Sequence, residues 1–231
     1  MKYRHLFFDL DHTLWDFDTN SRHTLFQLYN ELELAKRGVH DFDLFHKNYL
    51  AHNGKLWERY RNGYIKVDEL RVKRMWHTLL DFKIGDERLA KQMSTQFLDM
   101  LPTRTAVFPH TFEVLDYLVD KGYKLHLITN GFEHTQHSKL RHSGLDKYFV
   151  EVVTSECSNC LKPQREIFEY AMNKVSCCAD ECIMIGDSLE VDIQGAMNAG
   201  IDQVFVDHLC IGCAIQPTYV VKSLDELKAI F

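Results

Sequence analysis

Two carboxylates stand two residues apart near the start of the chain, in Asp9-Leu10-Asp11-His12-Thr13. Side chains i and i+2 of a strand share a face, so at a strand end Asp9 and Asp11 stay close together. Such a pair suits Mg2+, a hard cation that takes one or two carboxylates with waters and phosphate oxygens. Thr129-Asn130-Gly131 offers a hydroxyl, an amide and a backbone N–H, all donors to a phosphoryl group. The same tripeptide also fits a plain strand-to-helix turn with an N-cap. Lys162-Pro163 supplies either a point charge for phosphate or a solvated surface lysine. In Gly186-Asp187-Ser188-Leu189-Glu190-Val191-Asp192, Gly186 permits a tight turn and Asp187 can complete a metal site. Asp192, one helical turn on, can hold a metal-bound water or orient the lysine. A capped helix start accounts for that segment as well.

The elements that must position these residues are legible as apolar runs ending in polar side chains. YRHLFFDLD, KLHLITNG (124–131), ECIMIGDS (181–188) and DQVFVDH (202–208) read as short buried strands, and VEVVTS (150–155) is strand-like. TFEVLDYLVDKG (111–122), REIFEYAMNKV (165–175) and VDIQGAMNAG (191–200) have helical spacing, the first and last closing on glycine. Strands alternating with helices predict an α/β protein with a Rossmann-like parallel sheet covered on both faces. Sites in such sheets form beyond the carboxyl ends of the strands, where Asp9, Asp11, Thr129, Asn130 and Asp187 all fall. The interval from about 16 to 101 breaks the alternation and reads as helices only, over 20–35, 41–60, 66–82 and 86–100, with RNGYI (61–65) interrupting. It is longer than any crossover needs, so it is expected to be an inserted helical module. The expected division is a core of residues 1–15 and 103–231 and a helical module of 16–102.

The chain has 231 residues, 45% of them hydrophobic, enough for a sizeable core. A net charge of -6 argues against a polymeric nucleic-acid partner, which favours a basic face. A negative protein that handles phosphate needs a local positive trap, most simply a metal ion and a lysine. Neither a signal peptide nor an apolar stretch of about 18 residues is seen, so the expectation is a cytoplasmic protein without a membrane partner.

Taken in order, DLDHT, ITNG, LKP and GDSLEVD resemble the four motifs of the haloacid dehalogenase-like (HAD) hydrolase superfamily, and the helical interval is similar to that superfamily's first-type cap. The resemblance implies a Mg2+-dependent phosphatase. Asp9 is then the nucleophile and a metal ligand. Asp11 is the general acid and then base, and its carbonyl binds the metal. Thr129 and the Asn130 backbone hold phosphoryl oxygens, Lys162 neutralises nucleophile and phosphate, Asp187 is a metal ligand, and Asp192 is an outer-shell partner. The segment departs from the family pattern at His12, where glycine is frequent, and at Gln164, where a second proline is.

The partner implied is a small phosphorylated metabolite, met by a monomer or weak homodimer. WERYRNGYIKVDELRVKRMW (57–76), FDLDHTLWDF and ITNGF resemble a pyrimidine 5'-nucleotidase branch of the superfamily, which implies a nucleoside 5'-monophosphate. Trp15, Phe17, Tyr64 or Phe132 could stack a base, and Arg71 and Arg74 could reach a polar group, though each also fits packing or a solvated face. Sugar-phosphate phosphatase and phosphomutase readings stay open. A 2-haloacid dehalogenase would need neither Asp11 nor Asp187, and a non-enzymatic binding module would need none of the set. Cys157-x-x-Cys160 and Cys210-x-x-Cys213 have the spacing of a metal knuckle. Since the resemblance does not call for zinc, we read them as reduced, unliganded thiols. The 13 histidines read as surface or packing residues.

Overall fold

The computed structural model describes residues 2–212 and 215–231. These residues divide into two compact units, one of Met1–Phe17 with Thr105–Phe231 and one of Asp18–Arg104.

The first unit is built on a six-stranded parallel sheet of order β3-β2-β1-β4-β5-β6. Its strands are β1 (His5–Phe8), β2 (Lys124–Thr129), β3 (Phe149–Thr154), β4 (Cys182–Gly186), β5 (Asp202–Val206) and β6 (Tyr219–Val221). The expected α/β class and parallel Rossmann-like sheet are what the chain adopts. β1 and β4 are buried along their whole length, which is why they read as continuous apolar runs rather than alternating ones. Phe8 lies level with Leu127 of β2 and Ile185 of β4. The carboxyl ends of β1, β2 and β4 are therefore side by side, at the point where the chain order reverses direction across the sheet. Helices α5 (Thr111–Asp120), α6 (Glu133–Ser143), α7 (Ser155–Ser158), α8 (Arg165–Val175) and α9 (Gln194–Asn198) connect the strands. Before α9, Leu189–Ile193 forms a π-helical turn where regular helix was expected from 191.

The second unit is helical: α2 (Phe42–Arg61), α3 (Val67–Asp81) and α4 (Glu87–Met100) follow α1 (Phe17–Glu31). Asp41 caps α2 by accepting from the Leu44 N–H, and Asp86 caps α4 by accepting from Arg88 and Leu89. RNGYI does interrupt the helices, with Gly63 at φ 73°. Arg74 does not present a free guanidinium here. It is buried, donates to Asn53 Oδ1 at 3.2 Å and lies 5.3 Å from the Phe97 ring. Tyr64 is exposed. No described helix is long and apolar enough to cross a membrane.

Cys157 sits in α7, its sulfur accepting from the Thr154 N–H at 3.2 Å, and Cys160 is half-buried beyond it. Cys213 lies outside the described residues, so the second cysteine pair is not described. Cys182 opens β4, its sulfur 3.0 Å from that of Cys177.

Two histidines are sheet packing rather than surface. His5 and His126 are buried on neighbouring strands, stacked at 5.2 Å, with Nδ1 of His5 3.0 Å from Nε2 of His126. Burial pushes His126 down to about 4, with His5 and Lys124 adding to the effect and Glu151 of β3 opposing it. Burial lowers His5 too, helped by Lys124 and Arg4 and opposed by Glu181. The fold thus holds His126 neutral while the unfolded chain takes up a proton near the ordinary value of 6.5. The stability it confers is complete above about pH 6.5 and is lost as pH falls toward about 4. Between about pH 7.5 and about pH 5, the urea-unfolding free energy should fall by about 1–2 kcal/mol more in the wild type than in His126→Leu. Equal pH slopes would contradict this.

Candidate active site

Asp9 is the first residue beyond β1, fixed by its N–H donating to Ile185 O of β4 at 2.9 Å. The chain then folds back on itself: His12 N–H donates to Trp15 O, and Leu14 and Trp15 N–H both donate to Leu10 O. His12 takes φ 65° in this turn, the left-handed region where glycine costs least.

Lys162, only 1% exposed, extends its ammonium between two carboxylates, 2.6 Å from Asp9 Oδ1 and 2.7 Å from Asp192 Oδ1. Asp187 follows β4 and accepts from the Thr13 hydroxyl at 3.0 Å. Oxygens of Asp9, Asp187 and Asp192 all lie within 4.8 Å of one another. Three carboxylates against one ammonium leave two uncompensated negative charges in a buried place. Burial pushes Asp9 up to about 8, with Asp192 and Asp187 adding to this and Lys162 opposing. Burial and Asp192 push Asp187 up to about 7 against the Thr13 hydroxyl. Burial opposes the charge on Lys162, yet Asp192 and Asp9 together hold its ammonium above the ordinary value. The charge deficit and an all-oxygen donor set fit one hard divalent cation.

Asp192 is held twice, by Lys162 and by the Ser188 N–H at 3.0 Å, so both of its oxygens are engaged within the protein. Its carboxyl group crosses directly over Gly186, where a Cβ would lie 2.5 Å from Asp192 Cγ. Gly186 is therefore required for close approach. It does not take a positive φ, so the position calls for room rather than for left-handed backbone.

Thr129, buried at the end of β2, accepts from the Gly131 N–H at 3.0 Å, so its hydroxyl proton is left to donate elsewhere. Asn130 does something the sequence did not suggest. Its side chain grips the backbone of Lys162 at both groups, Oδ1 accepting from Lys162 N at 2.7 Å and Nδ2 donating to Lys162 O at 2.8 Å. Asn130→Ala should lower stability by about 1–2 kcal/mol and release the lysine loop. Chemical denaturation together with a phosphatase assay checks this, and unchanged stability would contradict it.

The side chain of Asp11 is not part of the Asp9–Asp187–Asp192 cluster. It accepts from Lys139 Nζ at 2.6 and 2.8 Å and from Gln136 Nε2 at 3.0 Å, both on α6. Burial would raise the Asp11 carboxyl, but Lys139 and Gln136 bring it below the ordinary range. Lys139 lies 4.4 Å from the Trp15 ring and 5.8 Å from that of Phe17. Trp15 is fully buried, and in this unit it serves as a platform for Lys139. Neither Gln136 nor Lys139 was anticipated from the sequence. The signal was weak, because α6 is polar on its buried face.

A model of the haloacid dehalogenase-like hydrolases matches residues 3–200. Pyrimidine 5'-nucleotidase PynA of Streptococcus pneumoniae is 34% identical over 230 residues, spanning 98% of this chain and 94% of that protein. Pyrimidine 5'-nucleotidase YjjG of Escherichia coli is 30% identical over 236 residues, spanning 100% and 98%. Among solved structures, the magnesium-bound HAD-hydrolase YfnB of Bacillus subtilis aligns with a TM-score of 0.90 at 27% identity, covering 100% of this chain and 99% of that one.

Proposed function

The chain belongs to the haloacid dehalogenase-like hydrolase family, and from that premise we propose that it is a Mg2+-dependent phosphatase of small phosphomonoesters working through a phospho-aspartyl intermediate on Asp9. The observation that carries this reading is the placement of buried Asp9 against Lys162, with two further carboxylates alongside.

In the first step an Asp9 oxygen forms a bond to phosphorus, and the bond from phosphorus to the leaving oxygen breaks. Asp11 gives its proton to that oxygen. In the second step a water oxygen bonds to phosphorus, the bond to Asp9 breaks, and Asp11 takes the water's proton. Carboxylate and phosphate repel, so Asp9 needs neutralisation before it can attack, and Lys162 supplies part of it. The Thr129 hydroxyl and the Asn130 backbone N–H donate to phosphoryl oxygens. Asp192 aims Lys162 while tied to the Ser188 N–H. The carboxylates of Asp9 and Asp187 and the carbonyl of Asp11 would hold Mg2+, which when bound supplies the remaining positive charge for nucleophile and phosphoryl group. The helical unit, residues 18–104, acts as a cap that admits substrate and then excludes bulk water.

The substrate we favour is a nucleoside 5'-monophosphate with a pyrimidine base. Two nucleotidase relatives at 34% and 30% identity over nearly the full chain support that choice. Phosphate and halide release should be measured from pyrimidine and purine nucleoside monophosphates, sugar phosphates, an aryl phosphate and a 2-haloacid, each with Mg2+ and with EDTA. Mg2+-dependent release greatest from pyrimidine nucleotides is expected. A preference for sugar phosphates would reject the nucleotidase assignment, and halide release without phosphate release would reject the phosphatase.

A further inference from the structure

Asp9 and Asp11 are the same side chain two residues apart, and the phosphatase reading, on which this inference rests, gives them different work. The structure separates them by the lysine each one meets. Asp9 faces Lys162, whereas Asp11 faces Lys139 with both of its oxygens. We propose that Lys139 and Gln136 are positioning residues that hold the Asp11 carboxylate away from the Asp9–Asp187–Asp192 cluster and in a fixed orientation to take the proton of the attacking water.

Asp11 follows the strand in an irregular turn, so backbone regularity does not fix its side chain. The clamp does so instead. Lys139 is 2% exposed and carries its ammonium on the faces of Trp15 and Phe17, a place that only an anion makes tolerable for a charge. Gln136, one helical turn earlier on the same face of α6, donates to Asp11 Oδ2. Its amide fills the space beside Gly131, where a Cβ would lie 1.6 Å from Gln136 Nε2. The chain just after the phosphoryl-binding Thr129-Asn130 thus has to lack a side chain for the clamp to reach Asp11. Without Lys139 and Gln136, the Asp11 carboxylate would lose the three hydrogen bonds that orient it.

The test uses Mg2+-loaded enzyme and dinitrophenyl phosphate, whose phenolate leaves without needing a proton. Phosphorylation of Asp9 then proceeds without an acid, while hydrolysis of the phospho-enzyme still needs the Asp11 base. Lys139→Met should keep a rapid burst of one phenolate per active site and then turn over about 10²-fold more slowly than wild type, with KM falling alongside kcat as the phospho-enzyme accumulates. Asp11→Asn should look the same, and Lys139→Arg should recover most of the turnover. Gln136→Leu keeps the charge pair, so it stands in if Lys139→Met fails to fold; about tenfold slower turnover with an intact burst is expected. Wild-type turnover in a folded Lys139→Met or Gln136→Leu overturns the inference alone, as does a burst lost in proportion to turnover. No phenolate release from wild type beyond that of Asp9→Asn overturns the phosphatase reading, and the inference with it.

Discussion

Asp9→Asn is expected to lower turnover of the best phosphomonoester by about 10⁴-fold or more and to leave the protein folded. An amide cannot attack phosphorus, so the two-step path is closed rather than slowed. The structural consequence runs the other way. Asp9 is one of three carboxylates crowded around a single ammonium, and burial together with its acidic neighbours disfavours its charge. A neutral amide of the same shape relieves that repulsion and still accepts from Lys162. The melting temperature of Asp9→Asn in EDTA should therefore equal or exceed that of the wild type. A variant that loses activity and stability together would make Asp9 a structural residue, and residual Mg2+-dependent turnover within tenfold of wild type would remove it as nucleophile.

Lys162→Met should fail on both counts. Removing the ammonium leaves Asp9 and Asp192 facing each other with no cation, and breaking a buried pair in this way costs about 3–5 kcal/mol. Turnover should fall about 10³-fold, the order expected when a charge aimed at the developing phosphoryl anion is lost. Urea unfolding in EDTA reads the stability loss, and added Mg2+ should recover part of it by binding only the folded state. Stability unchanged in EDTA would mean that the carboxylates find other partners.

Much of this arrangement was legible from sequence because the central strands are buried on both faces. HLFF and CIMIG announce themselves as apolar runs, and the polar residue following each is where a parallel sheet exposes its chemistry. What escaped detection depends on partners far apart in the chain. Asn130 is bonded to Lys162 across 32 positions and Gln136 to Asp11 across 125, and no local pattern encodes either pairing. Helix α6 escaped because apolar periodicity is blind to it: its buried residues include Gln136, Ser138, Lys139 and Ser143 beside the lone apolar Leu140. β6 escaped because it has three residues, two of them exposed, too few for an alternation to register. Gly186 was legible as a glycine that matters, but the reason is the Asp192 carboxyl group lying across it, and that needs three dimensions. The π-helical turn at Leu189–Ile193 has a related setting, since Asp192 turns back there to meet Ser188 and Lys162.

A phospho-aspartyl intermediate on Asp9 can be caught chemically. Asp11→Asn, which lacks the base for the second step, should be mixed with Mg2+ and a reactive aryl phosphate, quenched in acid, digested and examined by mass spectrometry. The peptide containing Asp9 should gain the mass of one phosphoryl group, only with Mg2+ present and never in the Asp9→Asn, Asp11→Asn double variant. Phosphate release by the wild type with no such adduct on that peptide, or with the adduct on another residue, would contradict an intermediate on Asp9.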